Sequence, residues 1–498
     1  MIKTMLKPRS IMFFAALSLT AICALPVPAR AAGNAAPEAV PVNISPRLRY
    51  QTVEGWGTSL CWWAANVIGK WKDEKKVDEI IDLITSPDKL NMNIFRYNIG
   101  GGDDPSHYST PGHLGHMAQN GGHGQRAEME GFKASADAPY DWTKDKDQIK
   151  IMLKIRQRRP DAIFEAFSNS PPYWMTYSGC ASGNDPGGID NLKPEYYDAF
   201  CDYLVAVCKH FKDTYGIEFH SLEPFNESSG SAWHYLGGQE GCHFDLSTQI
   251  EIIKRLYPRM QKAGLKTIIS ASDEAKLSFF IAMLNTYLDD GKVLDYVGQL
   301  NVHTYAGTDP QRMTISGLVN KIGKPLWQSE TGTPDKEGFT TNLKLGQKCI
   351  TDMRLMKPVA WLDWQVAEGS DTHASIVNSK TDESYHLSRY FFVRMQITRF
   401  IKQGYTIIDS DQDNTLAALS PSGKELVICF INVSGKDQSV KCNLSWFASS
   451  GPAAVYVTSA TQDCERGAAI SAGSGGILEF PAPNLTITTL VVPVTLRD

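Results

Sequence analysis

The sequence predicts an α/β fold, a (β/α)8 barrel with an appended C-terminal β-sandwich, and three observations carry that expectation. Between Val53 and Val366, eight short β-rich apolar runs alternate with one-faced amphipathic stretches. Repeated βα units favour a parallel sheet, and eight of them in about 330 residues favour its closure into a barrel. Near Gly404 the pattern changes to short alternating strands separated by Gly, Ser, Pro and Asn turns, as in an all-β sandwich.

The candidate barrel strands are Val53–Gly57, Ile94–Ile99, Ile163–Ser168, Phe219–Pro224, Thr267–Ser272, Val297–His303, Pro325–Gln328 and Val359–Trp364. The helices between them declare their buried faces. Val77, Ile80, Ile81 and Ile84 fall at i, i+3, i+4 and i+7, and Phe200, Leu204, Val207 and Phe211 at i, i+4, i+7 and i+11. Leu426–Phe430 and Ala454–Val457 read as sandwich strands, and Asn43–Thr52 can add a further strand that ties the chain ends together. Residues 32–40, rich in Ala and Pro, read as a flexible leader. The expected division is 1–31 export signal, 32–52 leader and sandwich strand, 53–402 catalytic barrel and 403–498 sandwich.

The export signal is expected because Lys3, Lys7 and Arg9 precede the apolar run Ile11 to Leu25, and Ala29-Arg30-Ala31 supplies a small-x-small cleavage site. The mature chain is expected to be secreted or periplasmic, without a membrane span, since no second long apolar stretch follows. Cys23 would allow a lipid-anchored precursor, but the bulky Ile22 before it argues against one. The net charge of -5, with no Lys/Arg block after the N-terminus, excludes an obvious nucleic-acid footprint and favours a neutral or mildly charged substrate.

In such a barrel, catalytic groups sit at the carboxyl ends of the strands. That filter selects Trp56, Arg96, Asn98, Ser168, Asn169, Asn226, Glu227, Asp273, His303, Tyr305, Glu330, Trp364 and Gln365. Two of these, Glu227 and Glu330, are glutamates on the fourth and seventh expected strands. Retaining glycosidic cleavage needs such a pair, an acid and a nucleophile about 5 Å apart across the anomeric carbon. Glu227 follows Asn226, which can hydrogen-bond a sugar 2-hydroxyl, and suits the acid/base role. Glu330 is within reach of Arg96 and Tyr305, which can stabilise a carboxylate, and suits the nucleophile role. An ionised Glu330 is then expected to keep Glu227 protonated until it donates to the leaving oxygen.

These residues carry a resemblance. Val53-Glu54-Gly55-Trp56-Gly57, Phe95-Arg96-Tyr97-Asn98, Ser168-Asn169-Ser170-Pro171-Pro172-Tyr173-Trp174-Met175 and the Asn226-Glu227 pair are similar to glycoside hydrolase family 30 over nearly the whole mature chain. The resemblance implies a barrel with an Asn-Glu acid/base on strand four, a nucleophile Glu on strand seven and an appended β-sandwich. Ser59-Leu60-Cys61-Trp62-Trp63-Ala64 and Glu223-Pro224-Phe225-Asn226-Glu227, followed by Gln239-Glu240-Gly241-Cys242, look most like the endo-β-1,6-galactanase branch, which implies cleavage of β-1,6-galactan such as arabinogalactan side chains. Ser228 stands where the wider clan often has Pro, a departure that leaves the acid/base assignment intact.

Trp56, Trp62, Trp63, Trp174, Trp233 and Trp364 serve equally as barrel packing or as flat faces for sugar rings; Trp56, Trp174, Trp233 and Trp364 are taken as substrate contacts. The segment Gly100 to Gly124 holds Asp103, Asp104, His107, His113, His116 and His123. Its spacing matches no standard metal pattern, so it reads as a wall of the cleft, with Asp103, Asp104 or His107 on sugar hydroxyls. No metal or other cofactor is expected, and Gly100-Gly101-Gly102 lacks a dinucleotide fingerprint. Nine cysteines remain after the signal; an odd, scattered set reads as buried small hydrophobes. Cys180 and Cys242 lie in adjacent barrel loops, which allows a disulfide or two free thiols. A monomer acting on a polysaccharide or oligosaccharide is the expectation. The alternatives are another specificity of the family, such as β-1,6-glucanase or xylanase, a non-catalytic carbohydrate-binding protein, or an envelope protein built around the sandwich. The last leaves the strand-end polar set unexplained.

Overall fold

The computed structural model describes residues 38–104, 126, 129–333, 338–369, 374–379 and 381–497. The export signal with Cys23, the leader up to residue 37, and His107, His113, His116 and His123 lie outside the described residues. Strand β1 spans Glu38–Thr52, and a closed parallel barrel follows: β2 Gly55–Ser59, β3 Ile94–Asn98, β4 Ile163–Phe167, β5 Ser221–Glu223, β6 Ile268–Lys276, β7 Val297–Ala306, β8 Leu326–Glu330 and β9 Ala360–Gln365. β2 closes the ring on β9, with Gly55 opposite Ala360 and Trp56 opposite Trp361. Each expected run therefore holds a barrel strand. β5 is the shortest, stopping before Pro224, which has no N–H to donate to a ladder.

Helices cover the barrel as the apolar periodicity requires. Glu74–Thr85 buries Val77, Ile80, Ile81 and Ile84, and the Asp73 carboxylate accepts the Lys76 N–H at 3.3 Å to cap its first turn. Tyr197–Tyr215 buries Phe200, Leu204, Val207 and Phe211 and ends at Gly216, whose φ of 64° suits the left-handed exit.

Alternation along β3 shows how the barrel is filled. Phe95 and Tyr97 point outward into the main helix-covered core, where Tyr97 packs on Phe211 with ring centroids 4.7 Å apart. Ile94 points inward and joins Trp327, Ala360 and Leu362 in an apolar plug. Arg96, two residues on, opens a polar layer above the plug. The active end of the barrel is thus charged and its floor is greasy, in the order the strand sequence Ile94-Phe95-Arg96 dictates.

β1 ties the chain ends together by changing partners. Glu38–Asn43 runs parallel to Gln438–Asn443, and Ile44–Thr52 runs antiparallel to Thr406–Ser410. Residues 38–40 are therefore strand, a correction to the expected leader: Val40 packs against the sandwich core that Val42 and Ile44 enter, and the residues that pair with them lie some 400 positions away. Strands Thr415–Leu419, Glu425–Asn432, Gln438–Asn443, Ile477–Ala482 and Thr486–Leu496 turn alternate residues into the same core, with Phe430 edge-on to Phe480 at 6.0 Å. Cys180 and Cys242 are both free and buried, as are the other seven described cysteines, so the disulfide allowed by the sequence is absent. Cys180 Sγ instead lies 3.1 Å from Ser182 Oγ. No helix among the described residues is long and apolar enough to cross a membrane.

Candidate active site

Arg96 is the electrostatic hub of the barrel. Its buried guanidinium donates to Glu165 at 2.8 Å and to Glu330 at 3.2 Å, and is paired with Asp273. One cation inside a dry barrel is stable only when its partners supply negative charge, and the three carboxylates in turn hold Arg96 fully protonated. Glu165 is a receptor for the polar layer: Ser221 donates to it at 2.6 Å, Ser270 at 3.1 Å and Asn301 at 3.0 Å. Deep burial pushes Glu223 well above the usual carboxylate range, and the nearby Asp273 and Glu165 push it further. Asp273 is held below its ordinary value despite burial because Arg96 and His303 face it.

Above this layer the two candidate glutamates converge. One carboxylate oxygen of Glu227, one of Glu330 and a ring nitrogen of His303 lie within 4.8 Å of one another. Tyr305 donates its hydroxyl to Glu330 Oε1 at 2.9 Å. His303 Nδ1 lies 3.0 Å from Glu227 Oε1 and 3.5 Å from Glu330 Oε1, while Nε2 lies 3.4 Å from Asp273 Oδ1, a contact of charge rather than a formed hydrogen bond. Burial alone would lower the imidazole pKa, but the surrounding carboxylates, Glu330 first, raise it to about 10. The carboxylates around it therefore favour the protonated ring. Both ring nitrogens face carboxylate oxygens, and the three side chains also have the spacing a divalent ion accepts. A second cluster with such spacing, Asp190, His243 and Asp245, is occupied at the start of the helix Leu246–Lys262. There Asp190 accepts the Asp245 N–H and the Thr248 hydroxyl, each at 2.5 Å.

Burial pushes Glu330 up to about 7, and Glu227 adds to the shift, outweighing the lowering by His303 and Arg96. Burial thus opposes the ionised form of Glu330, while His303 and Arg96 favour it. The backbone at Glu227 is unusual: its φ is 51°, in the left-handed region that non-glycine residues seldom occupy. Three hydrogen bonds fix it there. Its N–H donates to Asp273 O at 2.9 Å, and its carbonyl accepts the Trp233 indole N–H at 3.0 Å and the Gly230 N–H at 3.3 Å.

The other sequence-selected residues divide by what they touch. Asn226 sits beside Glu227 with its Oδ1 buried and without a protein partner, and Asn169 likewise keeps an unpartnered Oδ1. Trp364 packs edge-on to Trp62 at 5.5 Å in a cluster that Tyr305 joins, and Gln365 accepts the Trp62 N–H at 3.2 Å. Asp103 and Asp104 lie near Tyr173 and help to raise its hydroxyl pKa. Trp174 is half-buried and donates to Lys133 O at 2.8 Å.

Four residues are not placed as substrate contacts. Trp56 points out of the barrel and donates to Ile401 O at 2.6 Å, because it alternates away from the inward face. Asn98 is buried and spent on Glu240, at 3.0 Å, and on the Asn169 N–H, at 3.2 Å. Ser168 closes a turn on Ser170 O at 3.0 Å. Trp233 packs its ring against Gly241, where a Cβ would lie 2.1 Å from ring atoms, so one face of the ring is spent on backbone. Strand-end reasoning also passed over Glu165, Glu223 and Glu240. The last accepts from Asn98, Gly101 N and Met129 N at 3.0, 2.9 and 3.2 Å, joining two loops. The signal for Glu165 was available in the inward alternation of Phe164-Glu165-Ala166 beside Arg96.

Residues 39–311 match the model for O-glycosyl hydrolase family 30. The chain is 31% identical over 415 residues to an endo-β-1,6-galactanase of Hypocrea rufa, covering 81% of this chain and 83% of that one. Among solved structures, a conserved exported protein from Bacteroides fragilis superposes with a TM-score of 0.76 at 21% identity, covering 91% of this chain and all 100% of that one. The catalytic domain of GH30 xylanase C from Talaromyces cellulolyticus does so with a TM-score of 0.69 at 16% identity, over the same shares of the two chains. These two likenesses speak to the fold; the match to the family model over more than half the chain, and the identity to the galactanase, go further. The chain belongs to O-glycosyl hydrolase family 30.

Proposed function

We propose that this glycoside hydrolase is an exported, retaining enzyme that cleaves β-1,6-linked galactan, with Glu330 as nucleophile and Glu227 as acid/base. The observation that carries the mechanism is the approach of a Glu227 oxygen and a Glu330 oxygen within 4.8 Å of each other. That gap suits a carboxylate attacking the anomeric carbon directly and leaves little room for the water that an inverting enzyme places between its two carboxyl groups. In the first step Glu330 bonds to the anomeric carbon, the glycosidic C–O bond breaks, and the Glu227 proton passes to the departing oxygen. In the second, water bonds to the anomeric carbon, its proton passes to Glu227, and the ester to Glu330 breaks. Arg96 and Tyr305 orient Glu330 and favour its ionised form. Asn226 is suited to the 2-hydroxyl, since its unpartnered Oδ1 can accept from it. Both reacting groups are carboxyls, so the chemistry calls on no metal.

The galactan reading is supported by the relative named an endo-β-1,6-galactanase and by the Ser59–Ala64 and Glu223–Glu227 motifs. Product analysis on de-arabinosylated arabinogalactan tests linkage and cleavage mode together. Release of β-1,6-galacto-oligosaccharides is the expected result, and products from xylan or β-1,6-glucan alone would assign a different specificity to the same pair.

A further inference from the structure

Seven large hydrophobic side chains stand exposed among the described residues. Four are scattered: Leu48, Val433 and Leu496 on or beside sandwich strands and Met313 on the helix Asp309–Ile322. The other three, Tyr177, Ile189 and Tyr235, are 56%, 44% and 38% exposed and lie on the loops after β4 and β5, which are joined to each other. Asn184 bridges His234, and the Tyr235 N–H donates to Asn184 O at 2.9 Å. The Asn184 side chain donates to Asp190 O at 2.9 Å, closing the turn that holds Ile189, and the Tyr177 N–H donates to Asn191 O at 2.7 Å. Only glycine permits the join at Gly183, whose φ is 129° and whose Cβ would lie 2.3 Å from the Trp233 carbonyl carbon.

The joined loops continue the catalytic site. The loop after β5 carries Asn226-Glu227 near its start, and Trp233, two residues before Tyr235, donates to the Glu227 carbonyl at 3.0 Å. A general acid faces the part of the substrate that leaves, because it must reach the departing oxygen. The surface that extends from the acid's own loop therefore borders the leaving portion of the chain. Apolar faces in that position, rimmed by polar loop backbone, are what the C–H faces of pyranose rings stack on.

We propose that Tyr177, Ile189 and Tyr235 form a platform for the galactosyl units on the leaving-group side of the scissile bond. This rests on the reading of Glu227 as acid/base and of galactan as substrate. It adds that the enzyme grips the polymer beyond the bond it cuts.

The test compares Tyr177→Ala, Tyr235→Ala and the double variant on two substrates: an aryl β-galactoside, which places no sugar beyond the scissile bond, and long β-1,6-galactan. The platform predicts a rise in KM for galactan of about fivefold per tyrosine, the loss of one ring contact, with kcat/KM on the aryl substrate held at the wild-type value. It also predicts reduced transfer to an added β-1,6-galactobiose acceptor, which must occupy the same surface. Equal losses on both substrates, or wild-type behaviour on galactan, would overturn the platform while leaving the catalytic reading in place. A wild-type enzyme that ignores galactan would overturn the substrate reading and, with it, the ligand assigned to the platform. Both side chains are solvent-exposed, so circular dichroism and melting should match wild type.

Discussion

The Trp233 indole N–H donates to the main-chain carbonyl of Glu227 at 3.0 Å, which makes an apparent sugar platform into a brace for the left-handed backbone of the candidate acid. Trp233→Phe keeps most of the packing on Gly241 and deletes that donor. Loss of one partly buried hydrogen bond costs about 1 kcal/mol. If all of it is felt as misplacement of the carboxyl, turnover on galactan should fall about fivefold. An aryl galactoside with a good leaving group needs little protonation in its first step and should be spared there. Steady-state and pre-steady-state rates on the two substrates check this; equal losses on both would mean that Trp233 acts only through general stability.

Arg96 offers a test of the buried charge network. Arg96→Met leaves Glu165, Asp273 and Glu330 facing one another without their shared cation. Breaking a buried pair from one side costs about 3–5 kcal/mol. Denaturant unfolding should show a loss of that order in Arg96→Met, and a smaller loss once Glu165→Gln is added, because one stranded charge is removed with it. Losses that simply add would mean the two residues are not coupled.

How far the sequence foretold these features depended on the range of the interaction. The barrel strands and the buried faces of the helices are written in local periodicity, and the meeting of Glu227 and Glu330 is legible in their places at or just after strand ends. Trp56 was misplaced because strand-end position does not say which way a side chain alternates, and its partner Ile401 is 345 residues away. The packing of Trp233 on Gly241 had no signal either, because a loop tryptophan looks the same from the sequence whatever its faces meet. The strand character of Glu38–Val40 was hidden by its Pro- and Ala-rich surroundings, since its ladder partners at Gln438–Val440 come from the far end of the chain. The left-handed backbone at Glu227 had no signal at all: glycine would have announced it, and glutamate does not.

The pH dependence has a defined sign. Glu330, raised to about 7, must be ionised to attack while Glu227 keeps the proton it donates, so kcat/KM on galactan should follow a bell with one limb near 7 that belongs to the pair. The His303 imidazolium lowers Glu330, so His303→Asn should move that limb to higher pH. Stability runs the other way. With its folded pKa raised from 6.5 to about 10, His303 contributes stability that is fully present below about pH 6.5 and lost as pH rises through about 10. Wild-type melting temperature should fall across that window, and His303→Asn should flatten the decline. A pH profile that the variant leaves in place would separate His303 from the ionisation of Glu330.

The stereochemical outcome tests the catalytic pair independently of the glycan. With the two carboxylate oxygens within 4.8 Å, direct attack by Glu330 should form a glycosyl ester, and water should then displace Glu330 from the opposite face. Each displacement inverts the anomeric centre. The sugar freed from a β-linkage should first appear as the β-anomer and later mutarotate, and proton NMR over the first minutes of hydrolysis resolves the two forms. Glu330→Gln should abolish both steps, because an amide cannot form the ester. Glu227→Gln should retain ester formation from an activated aryl glycoside and stall at its hydrolysis, where no base remains to take the proton from water. Azide needs no such proton removed, so it should restore turnover of the Glu227 variant and give a β-glycosyl azide. Initial release of the α-anomer would exclude Glu330 as nucleophile whatever the substrate. An α-glycosyl azide would mean that the two glutamates exchange roles.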